Sequence, residues 1–250
     1  MNSNLITIVI ATYNAEEYLQ TCLNSIIPQL NSDVELVIID GESKDSTIRV
    51  IENNHQHIKY WISEPDKGIY DAWNKGIKVS NGKWIMFIGA DDELLPNAIN
   101  KYLNLLTSRD LSSFDYISAQ NEYVNEDEKL IKLLGNGADW KLMKKGNSAA
   151  HVASLHNKKN LFEKVGYYNL DFKICADYEI LLRKKDSLKS YFLQERIAKM
   201  KVGGMSFSVK AIKESYEIRK LHKTITPFYN NVLFFRDYFA YKLFKLRKFV

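Results

Sequence analysis

A disulfide framework, a membrane span and a glycine-rich phosphate loop are all missing from this chain of 250 residues. Its only cysteines, Cys22 and Cys175, lie far apart in the sequence, which fits a reducing, cytoplasmic compartment. No apolar run approaches the ~20 residues that cross a bilayer, so any membrane contact is expected to be peripheral. The opening MNSNLITIVIATYN carries no basic leader, and its run from Leu5 to Ala11 reads as a buried strand rather than a signal core. No G-x-G-x-x-G follows that strand, which argues against a dinucleotide-dependent oxidoreductase. Internal repeats and low-complexity tracts are absent too.

What is present suffices for one substantial core, with 46% apolar and 12% aromatic residues. The net charge of +5 is uneven: from Lys210 to Val250 ten Lys or Arg face three acids, so the basic character belongs to the tail. The expected organisation is a catalytic domain over 1–208 and a basic, aromatic helical extension over 209–250.

Four short runs rich in Ile and Val, Leu5 to Ala11, Val34 to Asp40, Ile58 to Ser63 and Lys83 to Gly89, are continuous rather than alternating, as strands buried on both faces should be. Between them Glu16 to Ile27, Ser46 to Asn53 and Tyr70 to Val79 space apolar residues by three and four, as amphipathic helices do. Such alternation predicts an α/β fold with a mostly parallel sheet flanked by helices. Ligands of such sheets sit beyond the carboxyl ends of the strands, and here those ends read TYN, DGESKD, EPDKG and ADDE. The adjacent carboxylates Asp91 and Asp92 are the type of group that holds Mg²⁺ or Mn²⁺ together with substrate phosphates. The plainer role for one of them is to cap the following helix.

In order and spacing, IVIATYNAEEYLQTCLNSI, LVIIDGESKDST, SEPDKGIYDAWNKGI, KWIMFIGADD and ADYEILLR resemble the inverting family 2 glycosyltransferases of the GT-A, Rossmann-like fold. The particular form of SEPDKGIYDAWNKGI is similar to the branch found in bacterial polysaccharide, O-antigen and capsule assembly. The resemblance implies a nucleotide-sugar donor, most readily UDP-linked, a glycan or lipid-linked acceptor, and a divalent cation. By position it assigns Thr12, Tyr13, Asn14, Asp40, Asp66, Gly68 and Asp91 to the donor, Asp92 with Asp91 to the metal, and Asp177 to the general base. Among residues placed at the acceptor or diphosphate, Lys67 would stand in for the Arg that Trp73 replaces, His151 falls where related enzymes carry a histidine before a strand, with a structural histidine as its alternative, and Glu179 either shares the role of Asp177 or points to solvent. GGMS, Gly203 to Ser206, resembles the end of the catalytic domain, where small residues let a loop close over the donor.

This sequence also departs from the family pattern. The D-x-D motif is reduced to Ala90-Asp91-Asp92, Trp73 replaces a common Arg, and Ala11 stands where Pro is usual. In the tail, PFYNNVLFFRDYFAYKLFKLRKFV interleaves rings with Arg236, Lys242, Lys245, Arg247 and Lys248. It suits the inner face of the cell membrane, or packing on the catalytic domain or a second copy; nucleic acid is disfavoured, since no binding motif accompanies the charge. The alternatives to a transferase are a metal-dependent nucleotidyltransferase, for which ATYNAEEY lacks a phosphate loop, and a silent scaffold of a polysaccharide assembly complex.

Overall fold

A computed structural model describes residues 5–149, 152–201 and 207–247. The elements in chain order are β1 (Ile6–Thr12), α1 (Leu19–Ile26), β2 (Val34–Asp40), α2 (Thr47–Asn53), β3 (Tyr60–Ser63), α3 (Ile69–Val79), β4 (Trp84–Gly89), β5 (Glu93–Leu94) and α4 (Ala98–Ser108). There follow β6 (Tyr116–Val124), β7 (Leu130–Leu134), α5 (Trp140–Met143), β8 (Leu155–Asn157), α6 (Glu163–Val165), α7 (Ala176–Leu182), β9 (Ser190–Lys201), α8 (Val209–Leu221) and α9 (Pro227–Arg247). They form one sheet of order β3-β2-β1-β4-β8-β6-β9-β5, with β7 on β6. The run β3-β2-β1-β4 is parallel. Beyond it β8 joins β4 antiparallel and β9 joins β6 parallel, so the sheet is mixed in its second half.

The alternation of side chains along a strand explains the layering. Ile6, Ile8 and Ile10 of β1 face a core with Leu19, Cys22, Leu23 and Ile26 of α1 and Ile99 and Tyr102 of α4. Val9, between them, faces the opposite core with Ile77 of α3, Ile180 and Leu181 of α7 and Ile218 of α8. Both faces of the parallel half are therefore covered, as its unbroken apolar runs imply.

Two expectations shift. β3 begins at Tyr60 rather than Ile58 and is half-exposed at the sheet edge. More consequentially, the boundary at residue 208 cuts off a helix that belongs to the core, since Ala211, Ile218 and Arg219 of α8 are all buried. The appended element is α9, which lies on α8 through buried Asn230 and Leu233 and the Tyr216–Phe234 ring contact. Its outer side exposes Phe228, Val232, Phe235, Phe239 and Leu243, a stripe spaced by four and three residues. Arg236 and Lys242 border that stripe on either side.

Candidate active site

The register of the parallel strands lines up the polar ends. Thr12 of β1 pairs with Asp40 of β2, Asp40 with Ser63 of β3, and Ala11 with Gly89 of β4, so all four loops leave the same sheet edge. Asp40 is wholly buried at the middle of this row. Its Oδ1 accepts from the hydroxyls of Thr12 at 2.8 Å and Ser43 at 2.5 Å; its Oδ2 accepts from the Ser43 N–H at 2.9 Å and the Ser63 hydroxyl at 2.7 Å. A carboxylate offers about four lone-pair sites, and these are taken. Asp40, assigned to the base of the donor, is thus an internal tie between three strand ends, with no surface of its own to offer.

The neighbouring loops are zipped together in the same manner. Asn14 donates its N–H to the Ser43 hydroxyl and accepts from the Lys44 N–H, while Ala15 N–H donates to Thr47 Oγ1. Thr12 and Asn14 therefore spend their side chains on the frame. Tyr13 does not: its side chain is 65% exposed beside that frame, a free ring face of the kind that stacks on a nucleobase. Asp66 is half-buried, with Oδ1 accepting the Gly68 N–H at 2.7 Å and Oδ2 lying against Gly41. A Cβ on Gly41 would stand 2.6 Å from that oxygen, so glycine is what lets the two loops close. Gly68 begins α3, and Lys67 is exposed, with no ion pair among the described residues.

At the end of β4 the chain turns sharply, Asp92 N–H donating to Gly89 O. Both carboxylates fold back over Gly89, where an added Cβ would meet Asp91 Oδ1 at 2.7 Å and Asp92 Oδ2 at 2.9 Å. Asp91 is exposed and Asp92 buried. Burial, then the charge of Asp91, pushes the Asp92 carboxyl up to about 8. Of the three acids only Glu93 has a cation, Lys199 at 3.0 Å; Asp91 and Asp92 have none among the described residues. Two neighbouring carboxylates with no cation among the described residues, Asp92 Oδ2 accepting only the Gly89 N–H at 3.3 Å, are the type of donor that suits a divalent cation completing its shell with phosphate and water. No cluster of three or more His, Cys, Asp or Glu suited to a metal occurs among the described residues.

Asp177 lies in the first turn of α7, half-buried. Its Oδ1 accepts from the Tyr178 N–H at 2.7 Å and faces the Tyr70 hydroxyl at 3.2 Å; Oδ2 accepts nothing from the described residues. Burial raises its carboxyl to about 6, against the lowering pull of the Tyr178 and Tyr70 hydrogen bonds. Tyr70, in the first turn of α3 just after the Asp66–Gly68 turn, also donates to Ile174 O at 2.6 Å, and Lys173 Nζ donates to Lys67 O. These contacts tie Asp177 to the Asp66–Gly68 turn that follows β3.

Glu179 is neither open to a ligand nor turned to solvent. It is buried and held by Arg183 at 3.0 Å and by His222 Nε2 at 2.6 Å. Burial alone would raise its carboxyl, but these partners outweigh it and keep it below the ordinary range. Trp73, in place of the common Arg, joins an apolar cluster with Tyr70, Phe87 and Tyr168. His151 and Gly203 to Ser206 lie outside the described residues. Ser43, Ser63 and Tyr70 were not singled out from sequence; each follows a strand or turn already marked as functional, and only its partner reveals its part. A cavity of about 280 Å³ at Leu5, Lys83 and Arg109 opens near the amino ends of β1 and β4, the far end of the sheet.

An exposed ring, a carboxylate pair with no cation among the described residues and a half-buried acid of raised pKa at one sheet edge are the features with which α/β enzymes commonly handle polar ligands. Residues 7–166 match the family described as glycosyl transferase family 2, and the chain belongs to that family. It is a glycosyltransferase. A PGL/p-HBAD biosynthesis glycosyltransferase of Mycobacterium bovis is 27% identical over 190 residues, 73% of this chain and 70% of the relative. Among solved structures, S. aureus TarS 1-349 in complex with UDP-GlcNAc superposes with TM-score 0.69 at 12% identity, covering 94% of this chain and 73% of that one. The mannosyltransferase PcManGT of Pyrobaculum calidifontis, in complex with GDP-Man and Mn²⁺, gives 0.63 at 14% identity, covering 93% and 69%. The fold is accordingly the GT-A, Rossmann-like type.

The tie at Asp40 has a measurable cost of removal. Asp40→Ala would orphan a buried N–H and three hydroxyls and is expected to lower stability by on the order of 3 kcal/mol. Asp66→Ala, deleting one hydrogen bond nearer solvent, is expected to lose less than about 1 kcal/mol. Urea unfolding compares them; equal midpoints would contradict the assignment.

Proposed function

We propose that this protein is an inverting glycosyltransferase that passes a sugar from a UDP-class nucleotide donor to a glycan or lipid-linked acceptor of bacterial surface polysaccharide or glycolipid assembly. The observation that carries the reading is Asp177, an acid of raised pKa with one oxygen unengaged among the described residues, tied through Tyr70 to the turn that follows β3. Asp177 takes the proton of the acceptor hydroxyl as its oxygen attacks the anomeric carbon from the face opposite the nucleotide, and the bond from that carbon to the diphosphate oxygen breaks. The donor's base stacks on Tyr13 and is read by Asp66, with Asp40 behind holding the frame. Mg²⁺ or Mn²⁺ held by Asp92 and Asp91 would supply positive charge to the departing diphosphate. Lys67 stands free to add its charge to the same group. A lipid-linked acceptor is supported by the mycobacterial relative's role in PGL/p-HBAD biosynthesis and by α9.

None of the helices described is long and apolar enough to cross a membrane. The exposed stripe of α9, with cations on both borders, instead matches a helix lying in an anionic headgroup layer, each cation near that surface contributing ~1 kcal/mol. Pairing with a second copy through the same stripe would set Arg236 and Lys242 of one helix beside those of the other.

Two experiments test these readings. Asp177→Asn is expected to abolish transfer while leaving UDP affinity unchanged. In the wild type the acid limb of kcat/KM is expected near pH 6, because the base is lost as pH falls through its pKa. The same elevation means that ionised Asp177 destabilises the fold, by an amount that grows as pH rises from about 4 to about 6. Asp177→Asn should therefore raise Tm at pH 7.5; an active or less stable variant would contradict the assignment. For α9, cosedimentation at low salt should recover the protein with phosphatidylglycerol vesicles but not with phosphatidylcholine vesicles, and Phe235→Ser with Phe239→Ser should release it. Equal recovery on both lipids, or a dimer that these substitutions dissociate, would overturn the membrane reading.

A further inference from the structure

The entry to α7 is held from outside the helix. Lys173, Ile174 and Cys175 present three consecutive backbone N–H groups, and all three point at one side chain, Glu214 of α8. Lys173 N–H donates to Oε1 at 2.8 Å, and Ile174 and Cys175 N–H donate to Oε2 at 2.8 and 2.9 Å. The cap residue Cys175 makes no side-chain cap of its own, so this carboxylate does the work of one from another element. The Ile174 peptide is held on both sides, its N–H by Glu214 and its carbonyl by the Tyr70 hydroxyl of α3. Two turns further along α8, His222 reaches Glu179, beyond Asp177 in the chain. Helix α8 thus grasps the chain just before and just after Asp177.

We propose that Glu214 is a positioning residue of the transfer: by gathering the Lys173–Cys175 amides it fixes where Asp177 meets the acceptor hydroxyl. The inference rests on the reading of Asp177 as the base. A carboxylate receiving three N–H groups is a strong, directional restraint, because charge-assisted hydrogen bonds are about twice as strong as neutral ones. A base must sit within hydrogen-bond reach of the proton it removes, and small displacements of such a group reduce turnover more than binding. Glu214 touches neither the Tyr13 loop nor the Asp91–Asp92 turn among the described residues, so its influence falls on the base and not on the donor. The titratable groups facing Asp177 are Tyr70 from α3, Tyr168 and Cys175 from the segment before α7, and Glu214 from α8. Of these only Glu214 is an anion at neutral pH, and its charge adds to the burial that keeps the Asp177 carboxyl high.

The test uses the full-length enzyme and two kinds of readout. Glu214→Gln keeps one acceptor oxygen and Glu214→Ala keeps none, so kcat is expected to fall about tenfold and about a hundredfold, with the donor KM within twofold of wild type. In Glu214→Gln the acid limb of kcat should move to lower pH, since an anion beside Asp177 has gone. A fall in kcat that matches the unfolded fraction measured by circular dichroism, and disappears when rates are normalised to folded enzyme, would reduce Glu214 to a structural prop and overturn the proposal, as would a matching loss of donor affinity in the folded variant. So would an unchanged kcat or an unmoved acid limb in a folded variant. Hydrogen exchange in the wild type needs no variant: the Lys173–Cys175 amides should exchange at least a hundredfold slower than free loop amides, and loop-like rates would overturn it. A failure of the base reading itself is recognised separately, by turnover in Asp177→Asn with these three amides still protected.

Discussion

One buried carboxylate organises the working edge of this enzyme. Asp40 draws the ends of β1 and β3 and the loop after β2 onto itself through four hydrogen bonds, and three of the four loops at this edge start from those points, the fourth being set beside them by the pairing of β4 with β1. A buried charge is tolerated only where donors surround it. That requirement explains why Thr12, Ser43 and Ser63 carry hydroxyls, and why Tyr13 is left projecting from a stiff frame. Preorganisation of this type spares the enzyme the ordering of its loops when substrate arrives.

Around that tie, acidic residues divide into two populations. Glu93, Glu179 and Glu214 have their charge met by Lys199, by Arg183 and His222, and by three backbone amides, respectively. Asp91 and Asp92 meet no cation among the described residues, and Asp177 keeps one oxygen free. Burial holds the carboxyls of Asp92 and Asp177 up, to about 8 and about 6. A fold that meets the charge of Glu93, Glu179 and Glu214 and leaves Asp91, Asp92 and Asp177 without a cation among the described residues has the uneven electrostatics that mark a functional edge. In the proposed transfer the two jobs fall on opposite sides of the sugar, Asp92 near the departing phosphate and Asp177 near the incoming hydroxyl.

Much of this was legible in the chain. Continuous apolar runs announced β1, β2 and β4, and polar residues at their ends marked the ligand edge, because a parallel sheet buries both faces and exposes only its rims. The second half was harder to read. β9 pairs with β6 through a register break between Ala119 and Asn121, so Gln194, Glu195 and Arg196 interrupt any alternation. α8 looks like a polar surface helix because its inner face is built from Glu214, Arg219 and His222, whose partners are distant in sequence. Residue type alone also could not separate Tyr13, open to solvent, from its neighbours Thr12 and Asn14, which serve the frame. Nor could it tell Asp177, with a free oxygen, from Glu179, with none.

The central claim is that a sugar nucleotide lies along this edge with its diphosphate at the Asp91–Asp92 pair and its base at Tyr13. Crystals grown with UDP and Mn²⁺ test it most directly, by anomalous scattering from the metal. The account predicts a manganese peak between the two carboxylates beside Gly89 and uracil against the Tyr13 ring. UDP bound with no metal peak at that pair, or a nucleotide seated away from the strand ends, would contradict it.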